Sequence, residues 1–171
     1  MHLAEAKQQG QTALALAPAN YLGLIIQAKG ALAVAQARAG ATRAANSLCE
    51  EAEKLAEPLH DPQLTGSTSL SCAEAMLAGP EPQRALETAL HAEENFGRLG
   101  KKDSEWRALL IAALASSRLE KPDAHQYATK ANDRLSELEQ EWGSENYKRY
   151  LLRSDVAYFR NQLDRLLKLQ T

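Results

Sequence analysis

Small and apolar residues recur along the chain at helical spacing, and breaker residues divide them into eight segments. Pro18-Ala19-Asn20 closes the first segment, and Gly40-Ala41-Thr42 separates the second from the third. The run from Pro58 to Gly66, with Asp61-Pro62 inside it, ends the third. Gly79-Pro80-Glu81-Pro82 and Gly100-Lys101-Lys102-Asp103 bound the fifth. Lys121-Pro122-Asp123 opens the seventh, with proline early in the helix, where its missing N–H costs nothing. Gly143-Ser144 ends the seventh, and Ser144 is placed to cap an eighth. The pattern predicts eight helices of roughly 15–25 residues joined by short links.

Four of these helices carry one stripe of small residues. It reads Ala6, Gly10, Ala13, Ala17 in the first and Ala45, Cys49, Ala52, Ala56 in the third. In the fifth it is Ala85, Ala89, Ala92, Phe96, and in the seventh Ala124, Ala128, Ala131, Leu135. Each set steps by 4, 3 and 4, which is one face of an α-helix. Successive sets are offset by 39, 40 and 39 residues, and Ala33, Ala73 and Ala113 form a second series 40 apart. A fixed period of this length is the signature of a solenoid. Short side chains let helix axes approach where hairpins cross, and larger neighbours such as Leu48, Leu55, Leu86, Phe96 and Leu135 fill the space beside them. One hairpin cannot bury both of its faces, so the repeats stabilise each other.

The pattern resembles the tetratricopeptide repeat (TPR) family. Ala6, Gly10, Ala13 and Pro18 match the family's second helix, a small residue followed four, seven and about twelve positions later. The family's first helix carries a small residue twelve positions earlier, matched by Ala33 to Ala45 and Ala73 to Ala85; Ala113 to Ala124 is eleven. The likeness covers about residues 2–142. The period of about 40 exceeds the usual 34, and the bulky aromatics of the family's first helix are mostly missing. The tail Trp142-Gly143 to Asp155 is loosely similar to the ends of such arrays in multidomain bacterial signalling proteins.

The resemblance implies an all-α fold: a TPR-like superhelix of antiparallel hairpins stacked as a right-handed solenoid. In that register there is a half repeat at 2–18, then repeats at about 20–59, 64–99 and 103–142, and a C-terminal capping helix at 144–171. The first helix is then the second half of an earlier repeat, which suggests a chain trimmed from a longer array. In the eighth helix Val156, Phe159, Leu163, Leu166 and Leu167 form an apolar face, while Arg160, Asp164 and Lys168 face water.

Composition narrows the class. Hydrophobic residues make up 44% of the 171 residues but aromatics only 5%, so alanine and leucine, both strong helix formers, dominate. Val and Ile are too scarce for a sheet. A net charge of −2 argues against nucleic acid. Cys49 and Cys72 are expected to be buried, inert thiols close to one another. Neither a signal-peptide pattern nor an apolar run of membrane length appears, so the expectation is a cytoplasmic chain without a membrane partner.

Catalytic and metal-binding spacings are missing, so no enzyme activity, cofactor or metal is expected. His2, His60, His91 and His125 stand at no recognised zinc spacing; Glu87 and Glu94 flank His91 as solvated helix-surface neighbours. Gly66-Ser67 lacks the flanks of a nucleophile elbow, and Trp106 reads as core filler. The resemblance places binding on the concave face, lined by the second, fourth and sixth helices. That selects Gln27, Gly30, Val34 and Arg38, then Ser67, Leu70, Glu74 and Leu77, then Arg107, Leu110, Leu114 and Arg118. Such a mixed surface suits a helix or extended peptide with apolar anchors. The lysine and asparagine set that clamps a chaperone tail is absent. The function expected is a non-catalytic protein-interaction scaffold. A homodimerisation module of a larger signalling protein is the alternative, and a helical enzyme or small-molecule sensor ranks last.

Overall fold

The computed structural model describes residues 3–18 and 21–168. Its helices are α1 (Leu3–Leu16), α2 (Leu22–Arg38), α3 (Thr42–Ala56), α4 (Pro62–Ala78), α5 (Pro82–Arg98), α6 (Lys102–Arg118), α7 (Ala124–Leu151) and α8 (Ser154–Lys168). A single 3-10 turn, Glu57–Leu59, follows α3, and no strand occurs among the described residues. Each helix packs on its successor, α2 also meets α4, and α4 also meets α6. The protein is an all-α array of consecutively packed helices. Ala19 and Asn20 of the first breaker, and His2, lie outside the described residues.

Local chemistry sets the boundaries. Asp61 caps α4, accepting hydrogen bonds from the backbone N–H groups of Gln63 at 2.9 Å and Leu64 at 3.1 Å. Pro62 and Pro82 stand in the first turns of α4 and α5, where no N–H is needed. The ends of α2, α5 and α6 close alike, with Ala41 N donating to Gln36 O, Lys101 N to Phe96 O and Lys121 N to Ser116 O, all at 2.9 Å. Each closure passes through a left-handed residue, Gly40, Gly100 and Glu120.

The small-residue stripes are the core. All twelve stripe positions on α3, α5 and α7 are buried, and so are Ala33, Ala73 and Ala113. The four positions of the first stripe, Ala6, Gly10 and Ala13 on α1 and Ala17 just past its end, are only partly buried. Phe96 and Leu135, at the ends of two stripes, are fully enclosed, each gaining about 1.5–3 kcal/mol from burial. Trp106 is enclosed as well, and its Nε1 donates to the Tyr150 hydroxyl at 2.7 Å. Cys49 and Cys72 are buried free thiols in hydrogen-bond contact, and that contact, followed by burial, pushes the Cys72 thiol far up.

Three boundary expectations change. Gly66 lies inside α4, not in a link: a β-carbon there would stand 3.0 Å from Phe96 Cε1, so its smallness serves helix contact. Pro122 precedes α7, which begins at Ala124. The helix expected from Ser144 onward is two pieces. Gly143, at φ 75° and ψ 155°, breaks α7, the chain runs on to Leu151, and α8 starts only at Ser154. The residues from Ser144 to Leu151 return to α6, where Tyr150 meets Trp106 and stacks edge-on against Trp142 at 5.2 Å.

Candidate functional site

The face formed by α2, α4 and α6 is where the sequence places a groove, and its residues divide by helical register. On α2, Gln27 is exposed and Arg38 half-buried, with Val34 partly buried between them. Gly30 is buried, because a β-carbon there would lie 3.0 Å from Ser71 of α4. On α4, Leu70 and Leu77 are core residues; the outward line is Ser67, Ser71, Glu74 and Ala78. The Ser67 hydroxyl donates back to its own helix, at 2.9 Å to Gln63 O and 3.0 Å to Leu64 O. On α6, Leu110 is wholly enclosed in the core, while Arg107, Leu114 and Arg118 face outward. Leu70, Leu77 and Leu110 therefore stand one residue, about 100° of helix rotation, from the positions that reach the face. Arg118 donates to the carbonyls of Leu77 and Gly79 and so finishes the C-terminal end of α4.

Part of this face is already covered by α8. Arg38 lies over the ring of Tyr158 at 5.3 Å and Arg107 over that of Phe159 at 4.5 Å. Glu74 joins the two arginines, at 2.6 Å to Arg38 and 3.6 Å to Arg107. Asp155, at the start of α8, stands 3.9 Å from Arg107. Burial pushes the Glu74 carboxyl up, and the two arginines pull it part of the way back. Arg107 Nε is buried and finds no acceptor among the described residues. Beside Tyr158 and Phe159 remains a slot of about 280 Å3, lined also by Ile111, Leu114 and Gln162. The groove expected to be open is thus filled on its α6 side by the chain's own last helix. Leu24, Gln27 and Ala31 on α2 stay exposed, with Ser67 half-exposed on α4.

A larger cleft, of about 750 Å3, opens between α3 and α5 above the first turns of α4, where sequence reasoning expected nothing. Its walls carry four carboxylates, Glu50, Glu53, Glu57 and Glu87, against one cation, Lys54. Four hydroxyl-bearing residues line it as well: Thr65, Thr68, Ser69 and Thr88. His91 stands in its wall, with Nδ1 3.2 Å from Ser69 Oγ and Nε2 3.3 Å from Asn95 Nδ2. Desolvation pushes the Glu53 carboxyl up; Arg84 and His91 oppose the shift and Glu50 adds to it. The legible signal was Thr65, Ser69 and Thr88, short hydroxyl side chains where the next repeat carries Glu105, Leu109 and Tyr127.

Among the described residues, no group of three or more His, Cys, Asp or Glu side chains is placed to hold a metal ion. None of the described helices is long and apolar enough to cross a membrane. Compared with known proteins, the chain matches no family model, no curated protein and no solved structure.

Proposed function

We propose that the chain is a TPR-like repeat scaffold that binds a helix or extended peptide of a partner protein on the α2–α4–α6 face, alongside α8. The supporting observation is α8 itself. This face accepts an amphipathic helix by stacking two aromatic rings on Arg38 and Arg107 while Val156, Phe159 and Leu163 are buried. The open strip of Leu24, Gln27 and Ala31 continues the same surface with apolar anchors and one amide. The repeat alanines give a rigid frame, so a bound segment does the ordering and the scaffold little.

Self-association is the second reading, favoured by Leu16, Tyr21 and Leu24, which expose apolar surface at the α1–α2 end. A photo-crosslinking residue at Gln27, compared with one at exposed Lys130 on α7, separates the two in the intact chain. The scaffold reading expects a partner adduct from position 27 alone, lost when Ala31→Arg fills the strip. An adduct of twice the chain's own mass makes self-association the function. Equal adducts from both positions would remove the face as a binding site.

A further inference from the structure

Offsets of 40 residues relate α2 to α4 and α4 to α6, and they align the outward positions of the three helices. One level reads Arg38, Ala78 and Arg118; the level a turn before it reads Val34, Glu74 and Leu114. The middle helix thus presents a methyl group where both neighbours carry an arginine, and the volume of the missing side chain is left as space. The slot of about 280 Å3 beside α8 is lined by all three positions of that level, Arg38, Ala78 and Arg118. From α8 it takes Tyr158, Phe159 and Gln162.

The charges around the slot do not balance. Glu74 is shared by Arg38 at 2.6 Å and Arg107 at 3.6 Å. Asp155 is shared by Arg107 at 3.9 Å and Arg153 at 3.0 Å. Four arginines therefore stand against two carboxylates, and Arg118 is the one that meets neither. Its Nη1 donates to the carbonyls of Leu77 and Gly79, which holds the guanidinium over the end of α4. Those carbonyls offset about half a unit of its charge. Its other N–H groups find no acceptor among the described residues, and the Gln162 amide has no hydrogen-bond partner among them either.

The rest of the lining is apolar, with Leu77, Ile111 and Leu114 facing the two rings of α8. An inorganic anion would leave that surface wet, and a neutral hydrocarbon would leave Arg118 unmet. We propose that the slot binds a small aromatic or aliphatic monocarboxylate, its body against Ile111, Leu114 and the α8 rings and its carboxylate on the Arg118 guanidinium. Paired guanidinium N–H donors match the two oxygens of a carboxylate. The slot is at the small end of ligand pockets, which run roughly 300–1,000 Å3, and suits a ligand of about ten non-hydrogen atoms. None of its residues belongs to the open strip of Leu24, Gln27 and Ala31, so the site stands or falls apart from peptide binding there.

The test is an NMR titration of the intact chain with phenylacetate, followed through the backbone amides. Phenylacetamide removes the charge, and inorganic phosphate removes the apolar body. Saturable shifts are expected at Ala78, Leu114, Arg118 and Gln162, with a Kd of about 1 mM. Phenylacetamide is expected to bind about tenfold more weakly, and phosphate to leave these amides unshifted over the same range. Arg118→Gln is expected to weaken phenylacetate binding about tenfold. Because Arg118 also finishes α4, Ala78→Leu serves as a second variant. It fills the notch at an exposed position and is expected to abolish the shifts. No saturable shift with phenylacetate, equal binding of acid and amide, phosphate shifting the same four amides, or a titration unchanged by Ala78→Leu would each overturn the site.

Discussion

The two ends of the helix array are finished in opposite ways. At the C-terminal end the chain folds back: the 144–151 segment leans on α6 through Tyr150 and Trp106, and α8 buries Val156, Phe159 and Leu163. At the other end α1 packs on α2, and none of its described side chains is fully buried. Leu16 is 76% exposed, and Tyr21 and Leu24 beyond it are open as well. The stripe Ala6, Gly10, Ala13, Ala17 is the same chemistry as the buried stripes of α3, α5 and α7, yet it covers little. A repeat motif encodes a face; burial depends on whether a neighbour arrives on both sides.

That contrast predicts a steep difference in stability. Leu163→Ala, at a side chain with no exposed surface, is expected to cost about 3 kcal/mol and lower Tm by roughly 10 °C. Leu16→Ala, at the open end, is expected to cost less than about 0.5 kcal/mol. Hydrogen exchange should likewise find α1 opening at lower free energy than α5 or α6. Equal losses for the two substitutions would mean that α1 is held by something beyond its contact with α2.

A smaller effect sharpens the comparison at two glycines. Gly66→Ala puts a β-carbon 3.0 Å from Phe96 Cε1, 3.2 Å from Cζ and 3.3 Å from Asn95 Cβ. Overpacking of a fully buried ring is expected to outweigh the better helix propensity and cost about 1–2 kcal/mol. Gly23→Ala meets nothing within 4 Å and is expected to stabilise α2 by about 0.5 kcal/mol. Chemical denaturation of the two variants reads both signs, and stabilisation by Gly66→Ala would show that Phe96 can move aside.

Gly66 also shows where sequence stops being legible. Glycine is one letter for a turn and for a close helix contact, and only Phe96, thirty residues on, tells them apart. The alanine stripes were readable because period and burial coincide on α3, α5 and α7. On α4 and α6 the outward line was missed by one residue, at Leu70, Leu77 and Leu110. Ten residues of each helix are buried, so apolar side chains surround most of the axis and no single polar face marks the surface. The destination of α8 could not be read, since its apolar face fits any complementary strip. The α3–α4–α5 cleft is an unfilled space, hinted at in sequence only by Thr65, Ser69 and Thr88, where the next repeat carries Glu105, Leu109 and Tyr127.

The smallest effect tests how α8 is held. Glu74 faces Arg38, Arg107 and Asp155, and burial is the largest influence on it, leaving its carboxyl above the ordinary value of 4.5 despite the arginines. A carboxyl raised in the folded state favours folding most when protonated, and that contribution is lost as pH rises through the folded value. Glu74→Gln keeps an oxygen for Arg38 but carries no charge to desolvate. The variant is therefore expected to be more stable than the native chain at neutral pH, by about 1 kcal/mol or less, with the gap closing as pH falls through the raised folded value toward 4.5. Thermal melts across that range decide the matter. A variant less stable at pH 7, with the gap closing in acid from the other side, would mean that the pairs with Arg38 and Arg107 outweigh the burial of Glu74, and that α8 is seated by charge more than by its aromatic rings.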